Sequence, residues 1–309
     1  SKYYKETYGE KVYKLPVALP LTCPNRDGSA GVGGCTFCGE IGAGYENRPA
    51  WMTVRMQLEE NIAHIGPKYK AKKFIAYFLN FTNTYMPLSR FRYCVEEACG
   101  HPDIVGLAVS TRPDCIHESY LEALREAQGK YGTNITVELG LQSVNPHTLL
   151  KIGRCHTVAE FIDATLQIGR YHFDLCTHII ADLPWDDRID VEEAAKLVSV
   201  LPVTEIKIHS LYIIKGTKLA KMYEKGDIKL LPPEEYAERV VLILSMLRPD
   251  IVVQRIVGRA SANTLSVNGG RPWWEVKEYI EKLMRNRHIQ QGSACNYLHG
   301  AAVRRFLHE

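Results

Sequence analysis

At 309 residues, with 46% hydrophobic and 24% charged side chains and a formal charge of +3, the chain has an ordinary globular composition, which excludes disordered and fibrous classes. Its longest apolar run, around Val240–Leu247, is too short to span a bilayer, and the polar, aromatic start SKYYKETYGEK carries no signal-peptide pattern. Nine cysteines, an odd number scattered mostly through apolar stretches, argue against a secreted disulfide scaffold and for a reducing cytoplasm, while the mild positive charge permits a nucleic-acid partner without demanding one.

The first segment with strand character is Leu15–Leu19, inside the proline-punctuated run KVYKLPVALPL. It leads into Thr22–Glu40, TCPNRDGSAGVGGCTFCGE, where Cys23 and Cys35 are separated by eleven residues and Cys35 and Cys38 by two. Gly28, Gly31, Gly33 and Gly34 let this loop bend sharply. Three thiolates cannot complete a tetrahedral structural zinc site, whereas they suffice to hold a four-iron cluster by three irons and leave the fourth open. A zinc knuckle completed by a distant His or Cys, or three unrelated core thiols, remains open on this loop alone.

Helical periodicity follows at Met56–Ile65, then the apolar run Phe74–Phe81, of strand length. The alternation continues through helices near Leu88–Cys99, Ser119–Gln128, Val158–Gly169 and Val191–Val200, and buried strands at Val105–Ser110, Ile135–Leu141, Leu175–Ala181 and Glu205–Leu211. This is a run of βαβ units and a mainly parallel sheet of six strands. The pattern changes after residue 230: a helix over Pro233–Leu247, a final strand at Ile251–Ile256 and a helix over Trp274–Arg287. Residues 1–230, with the cysteine loop 22–40, are expected to form the core, and 231–309 a C-terminal extension packed on it.

Polar residues collect at the ends of these buried strands, where parallel α/β barrels bind ligands. They are Asn83, Thr84 and Tyr85; Ser110, Thr111 and Arg112; Glu138 and Gln142; His178; His209, followed by Lys215. Any one of them suits a buried ion pair or a hydrogen-bonded core residue. Five consecutive strand ends bearing such groups point to a shared polar ligand, because burying unpaired polar groups is costly.

The loop, ending Cys-x-Phe37-Cys, resembles the cluster loop of radical S-adenosylmethionine (SAM) enzymes. Its eleven-residue gap, together with NRDG, GGCTFC, FTNTY, STRPDC, ELGLQS, IKIHSL and KGTKLAKMY, is similar in order to a bacterial and archaeal family close to the catalytic subunit of the elongator complex. The resemblance implies an α/β fold with a partial (β/α)6 TIM-type barrel. It implies a [4Fe–4S] cluster on Cys23, Cys35 and Cys38, and SAM contacted by Phe37, Asn83, Thr84, Ser110, Thr111, Glu138, Gln142, Arg154 and His178. Asn83 and Thr84 would meet the methionine amino group, and Arg154 the carboxylate. Tyr85, Arg112, His209 and Lys215 are the candidates for the substrate side.

The implied activity is reductive cleavage of SAM to a 5′-deoxyadenosyl radical that abstracts a hydrogen atom, with a flavodoxin- or ferredoxin-like electron donor. The implied substrate is the wobble uridine of tRNA, with 5-carboxymethylaminomethyluridine converted to 5-aminomethyluridine. A small-molecule or protein substrate is the alternative, and a non-catalytic zinc-binding α/β protein a further one. Too few residues follow the barrel for an acetyltransferase domain, so the full elongator chemistry is not expected. Arg271, Lys277, Lys282, Arg285, Arg287, Arg304 and Arg305, near Trp273 and Trp274, suit RNA contact, or else form a solvated helix face balanced by Glu275, Glu278 and Glu281. Two departures from the family pattern are Trp185 in ADLPWDD, where a glycine is expected, and Cys155 in GRCH.

Overall fold

Two buried side-chain amides pin the segment that enters the cysteine loop. Gln57 is fully buried; its Nε2 donates to the carbonyls of Ala18 (2.8 Å) and Met52 (3.1 Å), and its Oε1 accepts the Ala18 N–H at 2.9 Å. Asn61 donates to the Pro16 carbonyl at 2.8 Å. In the computed structural model, which describes residues 2–40, 47–259 and 264–306, the chain forms two compact units: Ser1–Leu141 with Leu150–Thr177, and Gln142–Leu149 with His178–Glu309.

The first unit begins with α1 (Lys2–Tyr8) and alternates β1 (Val12–Val17), α2 (Val54–Tyr69), β2 (Lys73–Phe78), α3 (Leu88–Cys99), β3 (Ile104–Thr111), α4 (Glu118–Tyr131) and β4 (Asn134–Gln142). After α5 (Pro146–Lys151) and α6 (Val158–Gly169) comes β5 (Asp174–Ile180), whose residues are divided between the units. The strand order here is β1-β2-β3-β4-β5, and β1 to β4 pair in parallel. Strands β2 and β3 are buried almost throughout, as their unalternating apolar runs suggest for strands covered on both faces. Helix starts follow local chemistry: Thr53 caps α2 by accepting the Met56 N–H, and Thr157 with Glu160 forms a capping box on α6.

The second unit holds α7 (Arg188–Val200), β6 (Glu205–His209), β7 (Ile213–Ile214), α8 (Lys218–Glu224), α9 (Pro233–Met246), β8 (Val252–Arg255), β9 (Thr264–Ser266) and α10 (Trp273–Asn286). Its strands run β5-β6-β8, with β8 parallel to β6, while β7 and β9 form a separate antiparallel pair. Arg248 ties α7 to the chain that follows α9, donating to the carbonyls of Ser199 (2.7 Å) and Val203 (3.1 Å). Among the described residues no helix is long and apolar enough to cross a membrane.

Three strands end differently from expectation, each for a visible reason. The first lies at Val12–Val17 rather than Leu15–Leu19, because Gln57 occupies both backbone groups of Ala18. The second stops at Phe78 rather than Phe81: Asn83 Nδ2 takes the Phe78 carbonyl at 3.0 Å, and Phe81 turns into the left-handed region at φ 53°. The sixth stops at His209, and the Leu211 N–H goes to Asp182 Oδ1 at 2.7 Å instead of to a strand neighbour.

One charge network crosses four adjacent strands of the first unit. Lys14 on β1 bonds Glu138 on β4 at 2.7 Å, Tyr77 on β2 donates to the other Glu138 oxygen at 2.6 Å, and Tyr77 meets Ser110 on β3 at 3.2 Å. Burial alone would lower the Lys14 pKa, but Glu138, with Tyr4 and Tyr77, overturns this and holds the ammonium well above its usual value. Lys14→Met should therefore cost about 3–5 kcal/mol in denaturant unfolding, and Lys14→Met with Glu138→Leu should recover most of it; a double variant as weak as the single would refute the pairing.

The second unit carries the opposite pattern at Asp182 and Asp186. Burial lifts the Asp182 carboxyl to about 7, against the opposing Leu211 N–H bond, and lifts Asp186 to about 6. A raised carboxyl pKa means that the folded form keeps a proton the unfolded chain has lost, so this contribution to stability falls as pH rises from about 4 to about 7. Asp182→Asn removes that dependence. Its melting temperature relative to wild type is expected to rise between pH 5 and pH 8; a pH-independent difference would sink the assignment.

Candidate cofactor site

The eleven residues between Cys23 and Cys35 fold back on themselves. Gly28 donates to the Gly31 carbonyl at 3.0 Å, Ala30 to Pro24 at 2.7 Å and Gly34 to Asn25 at 2.7 Å, with a bridge between Asp27 and Val32. The return is made by Gly33 and Gly34, at φ 81° and 77°. At Gly34 a Cβ would also meet Arg26 Cγ at 3.0 Å, so only glycine fits there. The Cys38 N–H bonds the Cys35 carbonyl at 3.0 Å, closing a tight turn across the C-x-x-C pair. Long spacing in sequence thus becomes a compact loop.

Each of the three sulfurs is met by a polar side chain. Thr82 Oγ1 donates to Cys23 at 3.0 Å, Asn25 Nδ2 and Arg154 Nη1 to Cys35 at 3.2 and 3.3 Å, and Arg26 Nη2 to Cys38 at 3.4 Å. Burial pushes the Cys23 and Cys38 thiols up, the charge of Cys35 adds to both, and these donors with the nearby guanidinium groups pull them down. A thiol buried in this way ionises when a cationic centre binds it, and donors already aimed at sulfur stabilise the resulting thiolate. The set suits an iron–sulfur cluster.

Arg154 is fixed by a residue that sequence reasoning passed over. His156 is buried; burial first, then the Arg154 and Arg112 charges, lower its pKa to about 3, so its neutral ring accepts from Arg154 Nε at 3.0 Å. Arg154 also donates to the Gly140 carbonyl at 2.6 Å, so its contacts here are a sulfur, a ring nitrogen and a carbonyl. Asn25 and Arg26 were missed as well, though they stand just after Cys23 and Pro24 in the NRDG segment. Cys155 sits at φ 55°, a conformation glycine enters freely, and its sulfur lies 2.7 Å from where a Cβ on Gly31 would stand.

Among the strand-end residues of the first unit, Thr84 and Thr111 share a hydrogen bond of 2.6 Å, and Thr84 donates to the Cys115 carbonyl at 2.7 Å. Asn83 spends its amide N–H groups on the carbonyls of Phe78, Asn80 and Ser110, leaving Oδ1 buried without a partner. Arg112, 3% exposed, holds Asp114 through Nε (2.8 Å) and Nη2 (2.7 Å), and its buried Nη1 has no partner. An acceptor for a cation and a donor for an anion are thus both left unused. Glu138 is joined to Lys14 and Tyr77, Tyr85 bonds Ser29 of the cysteine loop at 2.6 Å, and Phe37 is half-buried.

In the second unit, His178 and His209 are half-buried and their rings bond at 3.3 Å, Gln142 lies at φ 72° and Lys215 is exposed. Three of the basic C-terminal residues are ion-paired: Arg271 with Glu234 (2.5 Å), Arg287 with Glu238 (2.6 Å) and Lys277 with Glu281 (3.2 Å). Arg304 donates to the Leu298 carbonyl, Trp273 packs under Arg259, and the side chain of Arg305 lies outside the described residues.

Residues 23–198 match the Radical SAM superfamily and residues 203–286 the Radical_SAM C-terminal domain. The chain is 36% identical over 294 residues to protein YtqA of Bacillus subtilis, covering 93% of this chain and 89% of that one. It is 27% identical over 155 residues to a tRNA uridine(34) acetyltransferase of Methanocaldococcus jannaschii, covering 49% of this chain and 28% of that protein. The structure of Methanocaldococcus infernus Elp3 with an N-terminal deletion superimposes with a TM-score of 0.67 at 18% identity, over 91% of this chain and 64% of that one. The likeness shows the fold, an α/β partial barrel of the TIM type. The chain belongs to the radical SAM superfamily of enzymes, which bind a [4Fe–4S] cluster and SAM, in the branch that resembles the elongator catalytic subunit.

Proposed function

We propose that the protein cleaves SAM reductively at a cluster held by Cys23, Cys35 and Cys38 and turns the resulting radical on a uridine of tRNA. The observation that carries the first half is the arrival of four side chains, from Asn25, Arg26, Thr82 and Arg154, at three thiols of one loop. Core thiols do not need such a set, and the first unit also leaves Arg112 Nη1 and Asn83 Oδ1 buried and unspent. When bound, the cluster supplies one electron and SAM yields methionine and a 5′-deoxyadenosyl radical.

The residues of the first unit divide the remaining work. Asn83 Oδ1 accepts from the ammonium of the methionyl group, with Thr84, Ser110, Thr111 and Phe37 placing the rest of SAM. Arg112 Nη1 donates to a carboxylate, of SAM or of a modified base. Glu138, already engaged by Lys14 and Tyr77, orders the strands beneath these groups. Gln142 and His178 as SAM contacts, and Tyr85, His209 and Lys215 as substrate-side groups, stand as proposals for single substitution.

Support for tRNA comes from the likeness to a tRNA uridine(34) acetyltransferase. The ion-paired basic residues of the C-terminal segment add nothing to it. Within this reading the favoured conversion is 5-carboxymethylaminomethyluridine to 5-aminomethyluridine, because the CH₂ between nitrogen and carboxylate gives a stabilised radical. A flavodoxin- or ferredoxin-like protein is the proposed electron donor and the cytoplasm the proposed location.

Anaerobically reconstituted wild type should form 5′-deoxyadenosine from SAM and dithionite, and the Cys35→Ala, Cys38→Ala variant should form none and bind less iron. Zinc in place of iron in the wild type would end the enzyme reading. With tRNA carrying the modified uridine, nucleoside mass spectrometry should show the shortened side chain; turnover only with small molecules or proteins would redirect the substrate assignment. Arg112→Gln should keep its iron and lower kcat/KM by about 10–100-fold, the worth of one charged hydrogen bond; lost iron would instead mark Arg112 as structural.

A further inference from the structure

We propose that Arg26 sets the reduction potential of the cluster through Cys38, as a positioning residue; this rests on the reading that the three cysteines hold a cluster. Arg26 belongs to the NRDG segment, next to Asn25, which meets Cys35. Its Nη2 lies 3.4 Å from Cys38 Sγ and 2.5 Å from the Gly39 carbonyl, and its Nη1 lies 3.2 Å from the Glu40 carbonyl. The guanidinium sits 4.8 Å from the centre of the Phe81 ring. Phe81 holds that ring in place from a left-handed backbone (φ 53°), and Gly34 runs beneath the Arg26 stem where any Cβ would press on Cγ and Nε.

This amount of fixing is more than an arginine on a solvated loop requires. Ring, glycine and two carbonyls hold one N–H on one sulfur. Hydrogen bonds to cluster sulfurs and nearby positive charge are levers that set an iron–sulfur potential. Reduction adds one negative charge, and a guanidinium that never loses its proton favours that state over the oxidised one. Arg154 applies the same force at Cys35 from a buried position. Arg26 is only half-buried and is held in part by Phe81, which can be altered without touching a cysteine.

The test is a redox titration of the reconstituted full chain without SAM, followed by the electron paramagnetic resonance of the reduced cluster. Wild type, Arg26→Gln, Arg26→Lys and Phe81→Leu are compared at equal iron and sulfide content. Arg26→Gln is expected to have a more negative midpoint potential than wild type, with Arg26→Lys between the two. Phe81→Leu, which frees the guanidinium, is expected to shift in the same direction by less. An unchanged potential in Arg26→Gln with a full cluster overturns the proposal and leaves the cluster reading intact. If Arg26→Gln fails to hold a cluster, Phe81→Leu decides: a negative shift sustains the proposal and no shift overturns it. A wild type that assembles no cluster overturns both readings, and is distinguishable from either result.

Discussion

Negative charge on buried sulfur is the condition that this loop is shaped to meet. Burial raises the Cys23 and Cys38 pKa values, and each thiolate makes its neighbours harder to ionise. The chain answers with two arginines, an asparagine and a threonine, drawn from three separate segments. Those segments have to be held as well. Gln57 fixes the approach to Cys23, His156 fixes Arg154, and Phe81 with Gly34 fixes Arg26. Most of the unusual backbone in this part of the protein, including left-handed Phe81 and Cys155, serves that arrangement.

Buried polar groups elsewhere in the first unit fall into two kinds. Glu138 is engaged by Lys14 and Tyr77, and its energetics are those of a closed ion pair, costly to break on one side only. Arg112 and Asn83 are anchored through some of their atoms while one polar atom of each stays buried without a partner. A folded protein leaves few such atoms, and a ligand that brings an ammonium and a carboxylate would satisfy both.

The positive charge near the C-terminus shows the same distinction from the other side. In composition it suits RNA, yet Arg271, Arg287 and Lys277 are already matched by Glu234, Glu238 and Glu281. Exposed pairs of this sort contribute little to stability, but they do remove the surplus charge that counterion release at a phosphate backbone would need. The tRNA reading therefore rests on relatives, and the chemistry of the cluster on this chain.

The βα alternation, with its strands and crossover helices, and the three cysteines as a set were legible from residue patterns, because apolar periodicity and thiol spacing are local properties; the short elements α1, α5, α8, β7 and β9 were not. The family followed from the motifs that punctuate them. Tertiary structure alone decided which donor reaches which sulfur: Thr82 and Arg154 are 59 and 119 residues from the cysteines they meet. It alone decided that Glu138 is spent and Arg112 is not, and that strands expected to reach Leu19 and Phe81 end early where side-chain amides capture their backbone. Hydrogen-bond partners are chosen by proximity in the folded chain, and no periodicity encodes them.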